Sequence, residues 1–220
     1  MGYPKECNLC RQKKITKGIG IEDLKLSVKP FQKGKNPYVM LVGLNPTLTK
    51  KQVKVVFELD DDDSTIYKYI VQDILPHVGL KIDDIYATNL VKCTFSQEPR
   101  IICERTYGKK DNKTVKTFLS PFFQNCRRYF TEEIMEINPK ILISFGEVPH
   151  QLIVDGFNLT QQNVNVNMKE AFGNIYRVPM HGRDVFYVPC IRLVAKNHPY
   201  FRNSWEMFVK RLKETVNPAQ

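Results

Sequence analysis

The sequence predicts an α/β fold, a three-layer α/β/α sandwich around a central four-stranded parallel sheet. Three observations point to it: short continuous apolar runs, helical spacing of apolar residues between them, and regular alternation of the two. Residues 38–43 (Tyr-Val-Met-Leu-Val-Gly) form the first apolar run and break into Asn45 and Pro46, as a strand buried on both faces would before a turn. Over 64–78, Ile66, Tyr67, Ile70, Ile74 and Leu75 recur at helical spacing, with Ser64 as N-cap and Gly79 as the stop. Residues 84–89 read as a second strand and 118–137 as a helix. Residues 140–145 and 185–189 read as the third and fourth strands, and 200–216 as a closing amphipathic helix. The acidic run 58–63 and the polar, basic stretch 95–117 fall outside this rhythm and are expected to be surface loops.

With 42% hydrophobic residues in 220, the chain has material for one core, and a single domain over 1–220 is expected, opened by a leader over 1–36. No apolar run approaches the roughly 20 residues that span a bilayer. The polar, cysteine-bearing first residues are unlike a signal peptide. An intracellular, cytoplasmic protein with no membrane partner is expected, and a monomer. Lys and Arg outnumber Asp and Glu by 33 to 23, a formal charge of +10, which suits a polyanion binder. Six cysteines are few for a disulfide scaffold, so metal ligands, nucleophiles or core residues are the readings, and only Cys7 and Cys10 have ligand-like spacing. There is no Gly-x-Gly-x-x-Gly and no P-loop, which argues against dinucleotide or ATP use.

Ligands of open parallel sheets bind outside the carboxyl ends of the strands. The residues in that position are Gly43, Leu44, Asn45 and Pro46, then Asn89, Gly146, and the segment Asn197, His198, Pro199, Tyr200. These segments, in this order, resemble the uracil-DNA glycosylase superfamily. Leu-Val-Gly-Leu-Asn-Pro is similar to its first motif, in the form shared by the mismatch-specific and single-strand-selective branches, and Asn197-His-Pro-Tyr to its His-Pro-Ser loop. Asn89-Leu-Val-Lys-Cys93, Cys126-Arg-Arg-Tyr and Pro139-Lys through Phe145-Gly resemble segments of the thermostable iron-sulfur uracil-DNA glycosylases.

The resemblance implies a DNA glycosylase of base excision repair, a monofunctional hydrolase of N-glycosyl bonds. It would flip uracil, or a related deaminated base, out of single- or double-stranded DNA and leave an abasic site. It implies that Gly43 and Leu44 line the base pocket, that Phe57, twelve residues beyond Asn45, stacks on the base, and that the Asn89 amide reads its edge. Catalysis falls to Asn45, holding the attacking water, and to His198, donating to uracil O2 as negative charge gathers there. It further implies a 4Fe-4S cluster on Cys7, Cys10, Cys93 and Cys126, with zinc as the alternative a four-thiolate site also suits. Cys103, in the longer insert before Cys126, is a rival fourth ligand, and Cys190 a small core residue. Lys50, Lys196, Tyr200 and Arg202 are candidate DNA contacts, and Lys109, Lys110 and Lys113 would extend the basic surface.

Two departures keep other readings open. Thr47 stands where relatives commonly have Gly, and Tyr200 where they have the small Ser. The alternatives are the same fold acting on another modified base, a DNA-binding protein without turnover, and a zinc-stabilised nucleic-acid-binding module of different ancestry.

Overall fold

In the computed structural model, which describes Cys10 and residues 28–46, 53–95 and 97–216, the three strands Val39–Gly43 (β2), Ile85–Asn89 (β3) and Ile141–Phe145 (β4) are buried at every residue. Two further strands follow, Tyr176–Met180 (β5) and Arg183–Cys190 (β6), and a two-residue strand, Phe31–Gln32 (β1), comes first. They form one sheet in the order β1-β3-β2-β4-β6-β5. The four central strands are parallel, as the apolar runs predict, and β1 and β5 add antiparallel edges that the sequence reading did not include. β1 lies inside the stretch read as leader, which therefore joins the sheet before residue 36.

The two faces are separate cores because successive side chains along a strand point to opposite sides. Met40, Val42, Tyr86 and Leu142 pack on one face with Phe122, Phe123 and Phe130, and Val39, Leu41, Ile85 and Ile143 on the other with Ile70, Leu75 and Phe208. The first face is covered by Asn112–Ile137 and Glu147–Gly156, the second by Pro199–Val216 and the turns of 65–78.

The helices correct three expectations. Over 64–78, Ser64 does cap Ile66, but Thr65–Tyr67 (α1) passes into a π turn at Lys68–Gln72. Pro76 has no N–H to continue the ladder, and the chain relaxes into i→i−5 bonds at Asp73 and Leu75 before ending at Gly79 in the left-handed region. Residues 95–117 are not surface loop throughout. Pro99–Tyr107 (α2) is a helix with Pro99 at its first position and Gly108 in the left-handed region behind it. The helix expected from 118 starts instead at Asn112 (α3, Asn112–Ile137), because the Asp111 carboxylate accepts the Thr114 N–H at 2.9 Å and caps it. Ile102, Cys103 and Val115 are buried beneath the charged surface that hides this hairpin in the sequence. Further α-helices among the described residues are Glu147–Gly156 (α4), Met168–Ala171 (α5) and Pro199–Val216 (α6). Among the described residues no helix is long and apolar enough to cross a membrane.

Candidate active site

The parallel register sets Gly43 beside Asn89, so the first two strands end side by side. A side chain on Gly43 would not fit: a Cβ there would stand 2.3 Å from Asn89 Oδ1 and 3.1 Å from Phe57 Cζ. Three residues read as base-pocket residues, Gly43, Phe57 and Asn89, are thus brought together, the first as the clearance that lets the other two approach. Asn89 is buried, and the Phe57 ring meets Phe145, at the end of β4, edge-on at 5.3 Å between centroids. Phe57 and Glu58 hold φ of 60° and 51°, a left-handed conformation that costs an L residue of order 1 kcal/mol or more and clusters at functional sites.

The turn after β2 is laid along the chain that follows β3. The carbonyls of Gly43, Leu44 and Pro46 accept the N–H groups of Leu90, Val91 and Phe95. Leu44 packs on the first core, and Asn45, half-buried, donates from Nδ2 to the Pro46 carbonyl at 2.9 Å. Thr47 and Lys50 lie outside the described residues.

His198 is exposed on the neighbouring rim, where the 193–195 turn leads into α6. Its Nδ1 accepts the Tyr200 N–H at 3.2 Å, which places the proton of a neutral ring on Nε2, the nitrogen left to face a ligand. Its ring lies against Phe201, 5.9 Å between centroids. Arg192 packs its stem over Gly146 at the end of β4, where a Cβ would come within 2.8 Å of it. The other candidate DNA contacts differ in their freedom. Arg202 is exposed, whereas Lys196 is held by Asp73 at 2.6 Å and by the Tyr69 and Trp205 rings, and the Tyr200 hydroxyl donates to the Lys169 carbonyl at 3.1 Å.

Behind Asn89 the chain reaches the cysteines. Cys10, Cys93 and Cys126 are buried and free of disulfides, and their thiols lie in hydrogen-bonding contact through Cys93. Hydrogen bonding to Cys10 and then to Cys126, with burial added, pushes the Cys93 thiol far above the ordinary range. The same contact with Cys93 holds the Cys126 thiol below it, against burial and with help from the Lys92 backbone N–H. That N–H donates to Cys126 Sγ at 3.4 Å, and Asn125 Nδ2 to Cys10 Sγ at 3.4 Å. Buried sulfurs that converge and receive N–H donors fit thiolate ligands of a metal or cluster, because such donors offset the charge a thiolate carries. Cys7, the expected fourth member, lies outside the described residues. Cys103 stands elsewhere, with Asp111 and Arg100 as its charged neighbours. Cys190 is a core residue beside the Tyr69 hydroxyl, its thiol pushed up to about 12 by burial.

Between the two groups lies a feature the sequence reading missed. Lys92 and Glu133 are both buried and paired at 2.5 Å, and Thr88 takes the Lys92 Nζ at 2.7 Å while donating to both Glu133 oxygens. Thr88 precedes Asn89 and Lys92 precedes Cys93, so one network pins the strand end and the cysteine segment to α3. The available signal was the phase of Glu133, which falls on the helix face of Cys126, Phe130 and Ile134.

A family model described as the uracil DNA glycosylase superfamily matches residues 31–218, from β1 through α6. A type-4 uracil-DNA glycosylase of Archaeoglobus fulgidus is 21% identical over 152 residues, which cover 69% of this chain and 66% of that protein's length. The family match takes in every strand of the sheet together with Gly43, Asn45, Phe57, Asn89, Cys93, Cys126 and His198, and leaves Cys10 before its start. On that match, with the strand-end residues gathered as described, this chain belongs to the uracil DNA glycosylase superfamily.

Proposed function

We propose that this protein is a monofunctional DNA glycosylase that extrudes uracil, or a related deaminated base, and hydrolyses its glycosidic bond to leave an abasic site. The observation that carries the reading is the meeting of Gly43, Phe57 and Asn89 at two adjacent strand ends. An aromatic ring and an amide meeting across a glycine supply the two things a flipped pyrimidine needs: a ring to stack on and one pair of polar atoms to read its edge. A fixed amide accepts from uracil N3–H and donates to O4, whereas cytosine offers the reverse pattern.

As the bond breaks, the sugar gains oxocarbenium character and the base departs as an anion. His198, with its Nε2 proton outward, donates to O2 and stabilises that charge more in the transition state than in the ground state. Asn45 holds the attacking water on the sugar face, where a cation-like carbon needs little activation of its nucleophile. The first test is an excision assay with the full chain on uracil in single- and double-stranded oligonucleotides. Alkali-labile abasic product is the expected result, and absence of product from uracil and from every other deaminated base overturns the reading.

Cys10, Cys93 and Cys126, with Cys7, are proposed to hold a 4Fe-4S cluster, which a bound four-thiolate site would use to brace the chain behind Asn89 rather than to transfer electrons. Zinc suits the same donors. Anaerobically purified protein is expected to contain iron and sulfide. Cys126→Ala is expected to lose them while Cys103→Ala keeps them, as read by elemental analysis and visible absorbance. Stoichiometric zinc without iron would replace the cluster with a zinc site, and loss of metal in the Cys103 variant alone would reassign the ligand.

A further inference from the structure

The hairpin of α2 and the first turns of α3 leaves a groove of about 510 Å³, within the roughly 300–1,000 Å³ typical of ligand sites, lined by Tyr107, Lys109, Asp111, Lys113, Thr117 and Phe118 among others. Its position follows from helix length. α3 has 26 residues, about 39 Å at 1.5 Å per residue, whereas a five-residue strand spans only about 17 Å. Glu133 is level with Thr88 inside β3, and Cys126 with Lys92 just beyond it. The turns before Cys126 therefore project past the carboxyl ends of the strands, on the side where Gly43 and Asn89 meet.

Two chains of contact tie the groove to that end. Its Phe118 packs on Phe95 at 6.1 Å between centroids, and the Phe95 N–H bonds the carbonyl of Pro46, next to Asn45. On the other side, Asn112 donates to Glu147 at 2.5 Å, and Glu147 directly follows Gly146 at the end of β4.

The lining is built for an anion beside a flat apolar ring. Lys109 and Lys113 are exposed and form no ion pair with a described residue, whereas their neighbours Lys110 and Lys116 are paired with Glu104 and Asp155. The one acid among these lining residues, Asp111, caps α3, accepting from Thr114 N and Oγ1 at 2.9 Å each. Those bonds, helped by Lys109 beside it, hold its carboxyl below the usual range, so two lysines face one carboxylate. Tyr107 leaves 50% of its surface exposed at the C-terminal end of α2.

We propose that this groove is a second DNA contact, holding the unpaired strand beside the extruded nucleotide, with Lys109 and Lys113 on successive phosphates and a base stacked on Tyr107. The proposal takes its partner from the glycosylase reading and adds to it a strand track supplied by the insert. Exposed aromatics interleaved with cations bind single strands without regard to sequence, since every base has a π face.

The test is binding of the full chain to a uracil-free single-stranded oligonucleotide across a salt series. Each phosphate neutralised contributes about 0.7 to the slope of log K against log salt, so K109Q with K113Q is expected to lower that slope by about 1.4. Y107A is expected to weaken binding by about 5- to 150-fold. K210Q with K213Q, exposed near the far end of α6, removes the same charge and is expected to leave the slope within error. An unchanged slope in the Lys109/Lys113 variant overturns the proposal and turns the search to an acidic protein partner; an equal fall in the Lys210/Lys213 variant also overturns it, as an effect of net charge. Failure of the glycosylase reading appears separately, as wild-type protein that binds the oligonucleotide with the full slope yet excises nothing.

Discussion

Asn45→Ala and His198→Ala are each expected to lower kcat for uracil excision by about 10²- to 10³-fold, and together to bring it to background, while the affinity for uracil-containing DNA changes little. The split follows from what each group meets. His198 sits exposed on the rim with its Nδ1 already bonded to the Tyr200 N–H, so its Nε2 proton meets charge only as the base leaves. Asn45 would touch a water, not the base. Interactions made only in the transition state move kcat and kcat/KM together and leave ground-state binding alone. Phe57→Ala and Asn89→Ala would act in the opposite sense, through recognition, because stacking and edge reading are present before the bond breaks. Single-turnover excision with gel-shift binding on the same substrates separates the two cases. If the Asn45 and His198 variants lose DNA affinity and keep their single-turnover rate, the assigned roles are wrong.

Lys92→Met or Glu133→Leu alone is expected to destabilise the fold by about 3–5 kcal/mol, and the two together to restore most of the loss. Both side chains are 1% exposed, and they form a direct ion pair in the interior. Removing one leaves an ion in an apolar interior, against Phe130 on the Lys92 side, whereas removing both leaves similar volume and no orphan charge. The Thr88 hydroxyl would then lose both partners, so recovery falls short of complete by about 1–3 kcal/mol. Denaturant unfolding of the four proteins gives the coupling energy as a double-mutant cycle. Singles that cost less than a kilocalorie per mole would mean that water reaches the pair in solution. Because Thr88 and Lys92 flank Asn89 and adjoin Cys93, the single variants should also loosen metal retention.

How far the sequence could be read depended on whether burial left a mark on neighbouring residues. The four central strands were legible because strands covered on both faces need largely apolar runs: β2 has no polar side chain, β4 is broken only by Ser144, and β3 turns polar only at its last two residues, Thr88 and Asn89. The edge strands were not: β1 has two residues, and β5 alternates buried and exposed positions around Pro179. The helix of residues 99–107 was hidden by its charges, since only Pro99, Ile102 and Cys103 mark its buried side, too few to show a period. In the candidate site, the strand-end positions of Gly43, Asn45 and Asn89 were legible from the rule that ligands gather at strand ends, while Phe57 came from its distance beyond Asn45 through the family resemblance.

By itself, then, the sequence determined the parallel sheet, the strand-end positions of the polar residues and a basic chain suited to DNA, because these depend on residue type and local period. Only the tertiary structure decided that Gly43 is the space between Phe57 and Asn89, that Cys126 rather than Cys103 joins Cys93 and Cys10, and that Lys92 finds Glu133 in the interior. Each of these is a meeting of residues separated along the chain, with Lys92 and Glu133 41 positions apart. The energy of such a meeting resides in desolvation and packing that no local pattern encodes.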